Sequence, residues 1–149
     1  MAIARGAGTE IIRSAQFEYE AANTTATNLL IGVQHHIYTV LSIVCFAKTA
    51  CDGLEMWLDG YDSFAGTSAQ GVTFCKIGVT PINSTFVWND KFSFNGYEPV
   101  DFTGPMDSAT KQDAIADQGS GVATKLGVQK AHNNDVWEII ITYIDQNNA

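Results

Sequence analysis

The histidines offer the most versatile chemistry in this chain, because imidazole binds metals and transfers protons near neutral pH. There are three: the adjacent His35 and His36, and His132 in a polar stretch far along the sequence. Successive residues of a β-strand point to opposite faces, so the adjacent pair cannot chelate one ion from a strand. We therefore expect the pair to lie at a strand edge without catalytic duty, and we predict no metal site.

Two carboxylates, Asp59 and Asp62, stand three residues apart around Gly60. Such a turn binds calcium when loop carbonyls complete a set of about six to eight oxygen ligands. The sequence around it lacks the ligand count of a defined calcium loop, so a solvated turn is the expected structure.

The cysteines and hydroxyl groups form no recognisable nucleophile. Cys45, Cys51 and Cys75 are odd in number, match no zinc spacing and lie mostly in apolar surroundings, where the thiolate is disfavoured. We expect all three to be reduced. No Gly-x-Ser-x-Gly sequence is present, and residues 119–121 (GSG) are too short for a phosphate loop and lack its lysine. We predict a protein that is not an enzyme and has no cofactor.

Trp57, Trp88 and Trp137 are the remaining candidates for a binding site. Exposed, coplanar indole rings on neighbouring strands would form a platform for sugar stacking. Large aromatic side chains on strands are more commonly part of a core or a subunit interface. We favour the core or interface interpretation and keep the sugar platform as an alternative.

The hydrophobic pattern predicts β-strands along most of the chain. Residues 37–47 are apolar on both faces, which is typical of a central strand covered on both sides, and a turn at residues 50–53 suggests a hairpin with residues 54–61. The fold class we predict is all-β, mainly an antiparallel β-sandwich of jelly-roll or immunoglobulin-like type. The predicted strands cover residues 11–19, 29–33, 37–47, 54–61, 71–79, 85–88, 91–94 and 136–144.

Residues 103–134 differ in composition and predict a short helical insertion, near residues 107–130, that lies outside the core. Asp107 or Ser108 can cap a helix that runs to about Gln118, and a second, weaker helical piece is predicted at residues 122–129. The predicted organisation is an extended N-terminal arm at residues 1–10, followed by a single β-sandwich domain at residues 11–149.

The net charge of −8 disfavours nucleic acid as a partner, since an acidic surface repels phosphates. The longest apolar stretch is too short to span a bilayer, and the N-terminus lacks the apolar core of a secretory signal, so no membrane is expected. Both arginines lie near the N-terminus, by chance or because the arm docks on an acidic neighbour such as another copy. The predicted interface residues are Ile3, Arg5, Ile11 and Arg13.

The order of these features resembles a family of small β-sandwich proteins of bacteriophage particles, including head-decoration, neck and tail-associated proteins. The resemblance covers roughly residues 37–101 and the last strand, and it does not extend to the arm or the insertion. It is carried by residues 36–45 (HIYTVLSIVC), 55–58 (EMWL), 80–90 (TPINSTFVWND), 92–100 (FSFNGYEPV) and 137–145 (WEIIITYID).

The resemblance implies a non-enzymatic virion structural protein without catalytic residues. We expect a capsid decoration or cement protein that binds and stabilises the assembled head lattice. Its expected partners are the major capsid protein or other virion proteins and further copies of itself, with a trimer as one option. Its expected location is the virion, after synthesis in the cytoplasm of a bacterial host. The alternatives are a neck or tail-attached protein, a carbohydrate-binding adhesin module and a metal-dependent enzyme on a jelly-roll scaffold.

Overall fold

A computed structural model describes residues 9–61, 69–99, 108–110, 113 and 121–147. The described residues form two main antiparallel sheets and a two-stranded ribbon, which confirms the predicted all-β sandwich. The strands are β1 (Thr9–Tyr19), β2 (Thr27–Ile31), β3 (His36–Ala47), β4 (Cys51–Tyr61), β5 (Ala69–Thr80), β6 (Thr85–Trp88), β7 (Phe92–Asn95), β8 (Tyr97–Pro99), β9 (Gly121–Ala123), β10 (Lys125–Lys130) and β11 (Trp137–Asn147).

The five-stranded sheet has the order β1-β11-β3-β6, and β7 pairs with the same edge of β3 as β6. Strands β6 and β7 therefore act as one edge strand with a break at residues 89–91. The pairing of β3 with β11 shifts between Thr142 and Tyr143, which leaves Leu41 as an extra residue beside that break. A bulge bends a strand and interrupts its ladder, which accounts for two short strands in place of one long one.

The four-stranded sheet has the order β2-β10-β4-β5. The ribbon of β8 and β9 follows the junction at Gly96, whose N–H donates to the carbonyl of His36 at 2.8 Å. A Cβ on Gly32 would overlap the backbone of Gly96, and a Cβ on Gly96 would overlap the backbone of Val33. Only glycine permits this approach, so the Asn95-Gly96 turn is part of the scaffold.

The core lies between the inner faces of the two sheets. Its largest fully buried side chains include Trp137, Tyr19 and Tyr38 on the five-stranded sheet and Leu54 and Met56 on the four-stranded sheet. Burying such an apolar side chain contributes about 1.5–3 kcal/mol each. Buried residues alternate with half-buried ones along β3 and most of β11, so each of these strands turns one face towards the core.

Lys130 closes one end of the sandwich from a buried position. Its Nζ donates to the carbonyl oxygens of Glu20 at 2.5 Å, Asn133 at 3.2 Å and Asp135 at 2.8 Å, and it lies 5.4 Å from the ring centre of Tyr19. Burial lowers the pKa of this amino group, and the nearby charge of Asp135 opposes that effect. Three carbonyl acceptors match the three donors of an ammonium group, so Lys130 fastens the loops at residues 20–26 and 131–136 to the core.

The predicted hairpin of residues 37–47 with residues 54–61 is wrong. Strand β3 belongs to the five-stranded sheet and β4 to the four-stranded sheet, so the chain crosses between the sheets at residues 48–50. The N–H groups of Ala47 and Lys48 donate to Ser84 and Val136, both of which flank the five-stranded sheet. These bonds hold the end of β3 to β6 and β11 before the chain leaves for the other sheet.

The predicted second helical piece at residues 122–129 is also wrong, and so is its placement outside the core. This segment forms β9 and most of β10, and β10 lies between β2 and β4. Leu126 and Val128 are fully buried, because pairing on both sides places them in the core. At residues 107–120, the structure describes Ser108, Ala109, Thr110 and Asp113, and the last three of these are helical. The other residues of this range lie outside the described residues.

Candidate interaction surfaces

His36 takes part in an ion cluster that the sequence did not predict. Its Nδ1 lies 2.5 Å from Oδ1 of Asp145, and Nε of Arg13 lies 3.2 Å from Oδ2 of the same carboxylate. Asp145 is buried, and the ring of Tyr38 stacks on His36 with 6.0 Å between centroids. His35 precedes β3 in a left-handed backbone conformation, with φ of 65°. The cluster joins β1, β3 and β11 at one end of their sheet.

The other polar candidates do not join this cluster. His132 lies 3.2 Å from Asp52 in an exposed pair, and Asp59 lies on β4. Within the described ranges, no group of three or more His, Cys, Asp or Glu residues could hold a metal ion. Asp62, the second carboxylate of the expected solvated turn, and residues 119–120 lie outside the described residues.

All three cysteines are free and buried. Burial raises the pKa of the Cys45 thiol to about 12, and the nearby Cys75 adds to this shift. Burial also raises the pKa of Cys75. A thiol that resists ionisation is a poor nucleophile, so Cys45 and Cys75 act as small core side chains.

The three tryptophans do not form the shared platform that the sugar-binding alternative requires. Trp137 is fully buried in the core. Trp88 points between the sheets, where its ring meets Phe74 at a centroid distance of 5.2 Å. Trp57 lies alone on the outer face of the four-stranded sheet, against the backbone of Gly127.

The outer face of the five-stranded sheet carries a row of apolar side chains. Val87, Val44 and Ile140 lie side by side on three neighbouring strands. Val87 is 51% exposed and Ile140 41% exposed, and Ile12 on β1 is 70% exposed. Residues 37–47 were expected to be covered on both faces, but the outer side chains of β3 are only half-buried. We call this surface the apolar face.

Charged side chains on the apolar face lie at the ends of the strands. Lys48 lies 3.8 Å from Glu18 and 3.4 Å from Glu138 at one end, and Glu10 lies at the other. Between these ends, the outward positions of β1, β3 and β11 hold apolar, Ser, Thr and Gln residues. Depletion of charge at the centre of a patch is characteristic of the centre of protein–protein interfaces.

The outer face of the four-stranded sheet is different in composition. Glu55 pairs in register with Lys76, and Thr73 donates to Glu55 at 2.8 Å. Lys125 lies opposite Asp59 on the neighbouring strand. Charges of both signs therefore surround Trp57, and we call this surface the charged face.

A third surface is a groove of about 300 Å³ where the sandwich is open between β5 and the β6–β7 edge. We call it the seam groove. Phe74, Trp88 and Phe92 form an aromatic cluster in it, with centroid distances of 5.1–6.5 Å. The described residues that line it are Leu58, Val72, Phe74, Trp88, Asp90, Lys91 and Phe92.

The predicted interface residues lie partly outside the described ranges. Ile3 and Arg5 are not described, Ile11 is 38% exposed, and the guanidinium of Arg13 is engaged by Asp145. A role for any of the four in an interface stays a prediction. The sequence did not predict the apolar face, because apolar residues on strands were assigned to the core. Whether Val87 and Ile140 are exposed depends on which elements pack against each face of the sheet.

Comparisons with known proteins give neighbours by structure only. No protein-family model and no curated protein matches the chain. A chain of Bacillus endospore appendages, described as disulfide-linked pili, is 12% identical with a TM-score of 0.47, and the match covers 100% of this chain and 97% of that chain.

Two viral structures are also similar. A chain of the T13 IBDV viral particle is 10% identical, with a TM-score of 0.46. The match covers 95% of this chain and 32% of that chain. A chain of the infectious bursal disease virus Gx strain is 9% identical, with a TM-score of 0.41. The match covers 96% of this chain and 34% of that chain. This chain spans about a third of either viral chain. At these identities and scores the likenesses carry no argument about function. Among the described residues, no helix has the length and apolar character needed to cross a membrane.

Proposed function

We propose that the protein is a structural subunit of a larger assembly, which it joins through the apolar face. The observation that carries this proposal is the row of Val87, Val44 and Ile140, of which Val87 and Ile140 are exposed and Val44 is half-buried. The described charges on this face lie at the strand ends. A contiguous apolar patch of this kind on a soluble protein commonly marks a contact with another macromolecule.

In the more specific form of the proposal, the assembly is the head of a tailed bacteriophage and the protein is a decoration protein. The support is the resemblance of residues 36–45, 80–100 and 137–145 to such virion proteins. A protein that binds the assembled lattice and not the free subunits stabilises the lattice by mass action. The apolar face would then lie on the capsid, and the charged face would be turned to solvent.

The test compares two valine substitutions on purified particles. Val87→Glu places a charge on the apolar face, and Val79→Glu places the same charge on β5, where the side chain is 81% exposed. Leaving an unpaired charge in an interface costs about 2–5 kcal/mol, so Val87→Glu should lower particle occupancy more than tenfold. The copy number per particle, measured by quantitative mass spectrometry, should be unchanged for Val79→Glu.

Equal occupancy for Val87→Glu and the unmodified chain would reject the apolar face as the contact. Separate analysis of head and tail fractions decides between the decoration role and the alternative of a neck or tail-attached protein. A particle preparation without this protein in any fraction would reject the virion assignment altogether.

The adhesin alternative depends on a single residue, Trp57. Its indole lies against Gly127 on the charged face, near the paired residues Lys125 and Asp59, whose polar groups suit a sugar. Glycan-array binding that is lost in Trp57→Ala and kept in Trp88→Ala would favour this function. Absence of glycan binding by the unmodified chain would dismiss it.

A further inference from the structure

Two acidic side chains lie opposite each other at one end of the apolar face. Glu18 on β1 pairs in register with Glu138 on β11, and both point outward, because Tyr19 and Ile139 beside them are buried. Like charges directly opposite each other on neighbouring strands destabilise a sheet. A pair that opposes folding and lies on the outer side of the sheet indicates a role in contact with another molecule.

Lys48 neutralises only part of this acidic pair. Its Nζ lies 3.8 Å from Oε2 of Glu18 and 3.4 Å from Oε1 of Glu138, and all three side chains are about half-exposed. One ammonium group between two carboxylates leaves one negative charge unbalanced. A second cation can therefore approach the pair from the solvent side and be attracted to it.

A hollow of about 270 Å³ joins the acidic pair to the apolar row. The residues that line it are Gln16, Phe17, Glu18, Glu138, Ile139 and Ile140. The carboxylates lie beside Ile140, which is 41% exposed. This combination suits a long cationic side chain, whose aliphatic stem packs on apolar surface while its charged head reaches the carboxylates. Arginine is the expected residue, because a guanidinium has five donors in a fixed plane and can bind two carboxylates at once.

We propose that the apolar face binds a protein other than a second copy of this chain, and that an arginine of this partner enters the hollow beside Glu18, Glu138 and Ile140. The inference rests on the proposed function and names the chemistry of the partner's surface. That surface has an apolar centre, which meets the row of Val87, Val44 and Ile140, and a basic edge, which meets the acidic pair.

Charge argues against a second copy as the partner. Of the described charged residues on the apolar face, Glu10, Glu18 and Glu138 are acidic and Lys48 is basic. Two such faces would bring acidic ends together whether their strands run parallel or antiparallel, on chains that each carry a net charge of −8. Arg13 cannot relieve this repulsion, because its guanidinium is bound on the inner side of β1. The same charges repel phosphates of nucleic acids and anionic lipids, so a basic protein surface is the complement.

The first experiment separates a second copy from a different partner. In analytical ultracentrifugation of the purified protein, the unmodified chain and Val87→Glu should sediment alike, because the apolar face does not bind to itself. A dimer of the unmodified chain that Val87→Glu dissociates would overturn the proposal, since a second copy would then cover this face.

The second experiment measures the contribution of the acidic pair. Purified chains are added to particles that lack this protein, and the bound copies are counted by quantitative mass spectrometry over a range of concentrations. The double variant Glu18→Gln with Glu138→Gln should raise the dissociation constant about tenfold and flatten its dependence on salt, because it removes a screened attraction. Glu55→Gln, on the charged face, should bind like the unmodified chain.

Lys48→Gln gives the most specific result in the same assay. Removing the internal cation leaves both carboxylates to the arginine of the partner, so the dissociation constant should fall about threefold at low salt. An acidic pair with a merely structural role would weaken binding in both Lys48→Gln and the double variant, or change neither. Either of those outcomes, or tighter binding by the double variant, would overturn the proposal.

A third experiment identifies the residue that enters the hollow. A photo-crosslinking amino acid in place of Gln16 should join the chain to an arginine-containing peptide of another particle protein. Particles loaded with a mixture of isotope-labelled and unlabelled chains distinguish this product from crosslinks between copies. Crosslinks to a second copy of this chain, or to a partner peptide without a basic residue, would overturn the proposal.

The outcomes distinguish the arginine contact from the proposed function. If Val87→Glu lowers particle occupancy and the double glutamine variant does not, the apolar face is the contact and the arginine contact is rejected. If neither variant lowers occupancy, the proposed function fails as well. An unchanged midpoint of urea unfolding in the double variant shows that its effect on binding does not come from loss of the β-sandwich.

Discussion

The outer faces of the two sheets show how one sandwich can present two different surfaces. On the five-stranded sheet, Val87, Val44 and Ile140 form an apolar row, and charges are held at the strand ends. On the four-stranded sheet, Glu55 and Lys76 lie opposite each other beside Trp57. Both sheets share one core, so the composition of their inner faces does not account for the difference between their outer faces.

Trp57 is a large aromatic residue on the charged face. The indole covers Gly127, so part of its apolar surface is buried within the protein itself. The apolar row on the other sheet has no such intramolecular cover among the described residues, and Val87 stays 51% exposed. The four-stranded sheet also has exposed apolar side chains, Ile31 and Val79. The contrast that the following substitutions test is therefore a row of neighbouring apolar residues on one face and a covered indole among charged residues on the other.

The largest effect is expected from Gly127→Val on the charged face. An ideal Cβ at Gly127 would lie 2.5 Å from two atoms of the Trp57 indole, whereas a Cβ at Gly78 would meet nothing within 4 Å. Overpacking of this kind costs about 2 kcal/mol of unfolding free energy, measured by urea denaturation. Gly78→Val should stay within about 0.5 kcal/mol, and Trp57→Ala should relieve the cost of Gly127→Val. Equal stabilities of the two glycine variants would mean that the indole is not packed there.

A medium effect is expected from pH, through the buried thiol of Cys45 on β3. Burial raises the pKa of Cys45 to about 12 from an ordinary 9.0, so the unfolded chain loses this proton first. The associated stability is complete below pH 9 and is lost as the pH rises towards 12, by roughly 1 kcal/mol at pH 10.

The measurement for this prediction is urea denaturation at pH 8 and pH 10 with a reductant present. Cys45→Ala should lose less stability between the two pH values than the unmodified chain. Cys75→Ala, in the other sheet, should keep most of the loss. The buried tyrosines Tyr19, Tyr38 and Tyr143 have raised pKa values and contribute to the loss in every variant. An unchanged pH dependence in Cys45→Ala would contradict the prediction.

The smallest effect is expected from Ile140→Thr on the apolar face. Because the side chain is 41% exposed, its replacement should change the unfolding free energy by about 0.5 kcal/mol or less. Ile141→Thr, the next residue, points into the core and should cost several times more. A large loss for Ile140→Thr would assign the apolar face to stability and remove the basis for contact with a partner.

Strand positions were largely predictable because their signal is local. Residues 54–61 and 71–79 were predicted as strands from alternation, and β4 and β5 occupy them with one to three residues added at the ends. The two short strands around Asn89 and Asp90 were also predicted correctly, since the polar pair interrupts the apolar pattern. The period of the apolar residues indicates which face of a strand is buried, and it can be read from that segment alone.

Strand pairing was not predictable by the same means. Residues 37–47 and 54–61 look like a hairpin, yet each segment pairs within a different sheet. An apolar pattern suits any neighbouring strand with the same buried face, so it does not specify the pairing partner. Residues 122–129 looked weakly helical, yet pairing on both sides with β2 and β4 makes them a strand. Tertiary contacts override weak local propensity when they bury side chains such as Leu126.

The amino-acid sequence by itself determined that this chain is an all-β protein with apolar strands and an acidic net charge, since composition and alternation can be read from the residues alone. The tertiary structure alone decided which apolar residues are covered. Ile140 and Ile141 are neighbours of the same type, and one is exposed while the other is in the core, because the second sheet packs against one face only. The seam groove is likewise a product of the fold, since Phe74 meets Trp88 only when the packed sheets bring β5 beside β6.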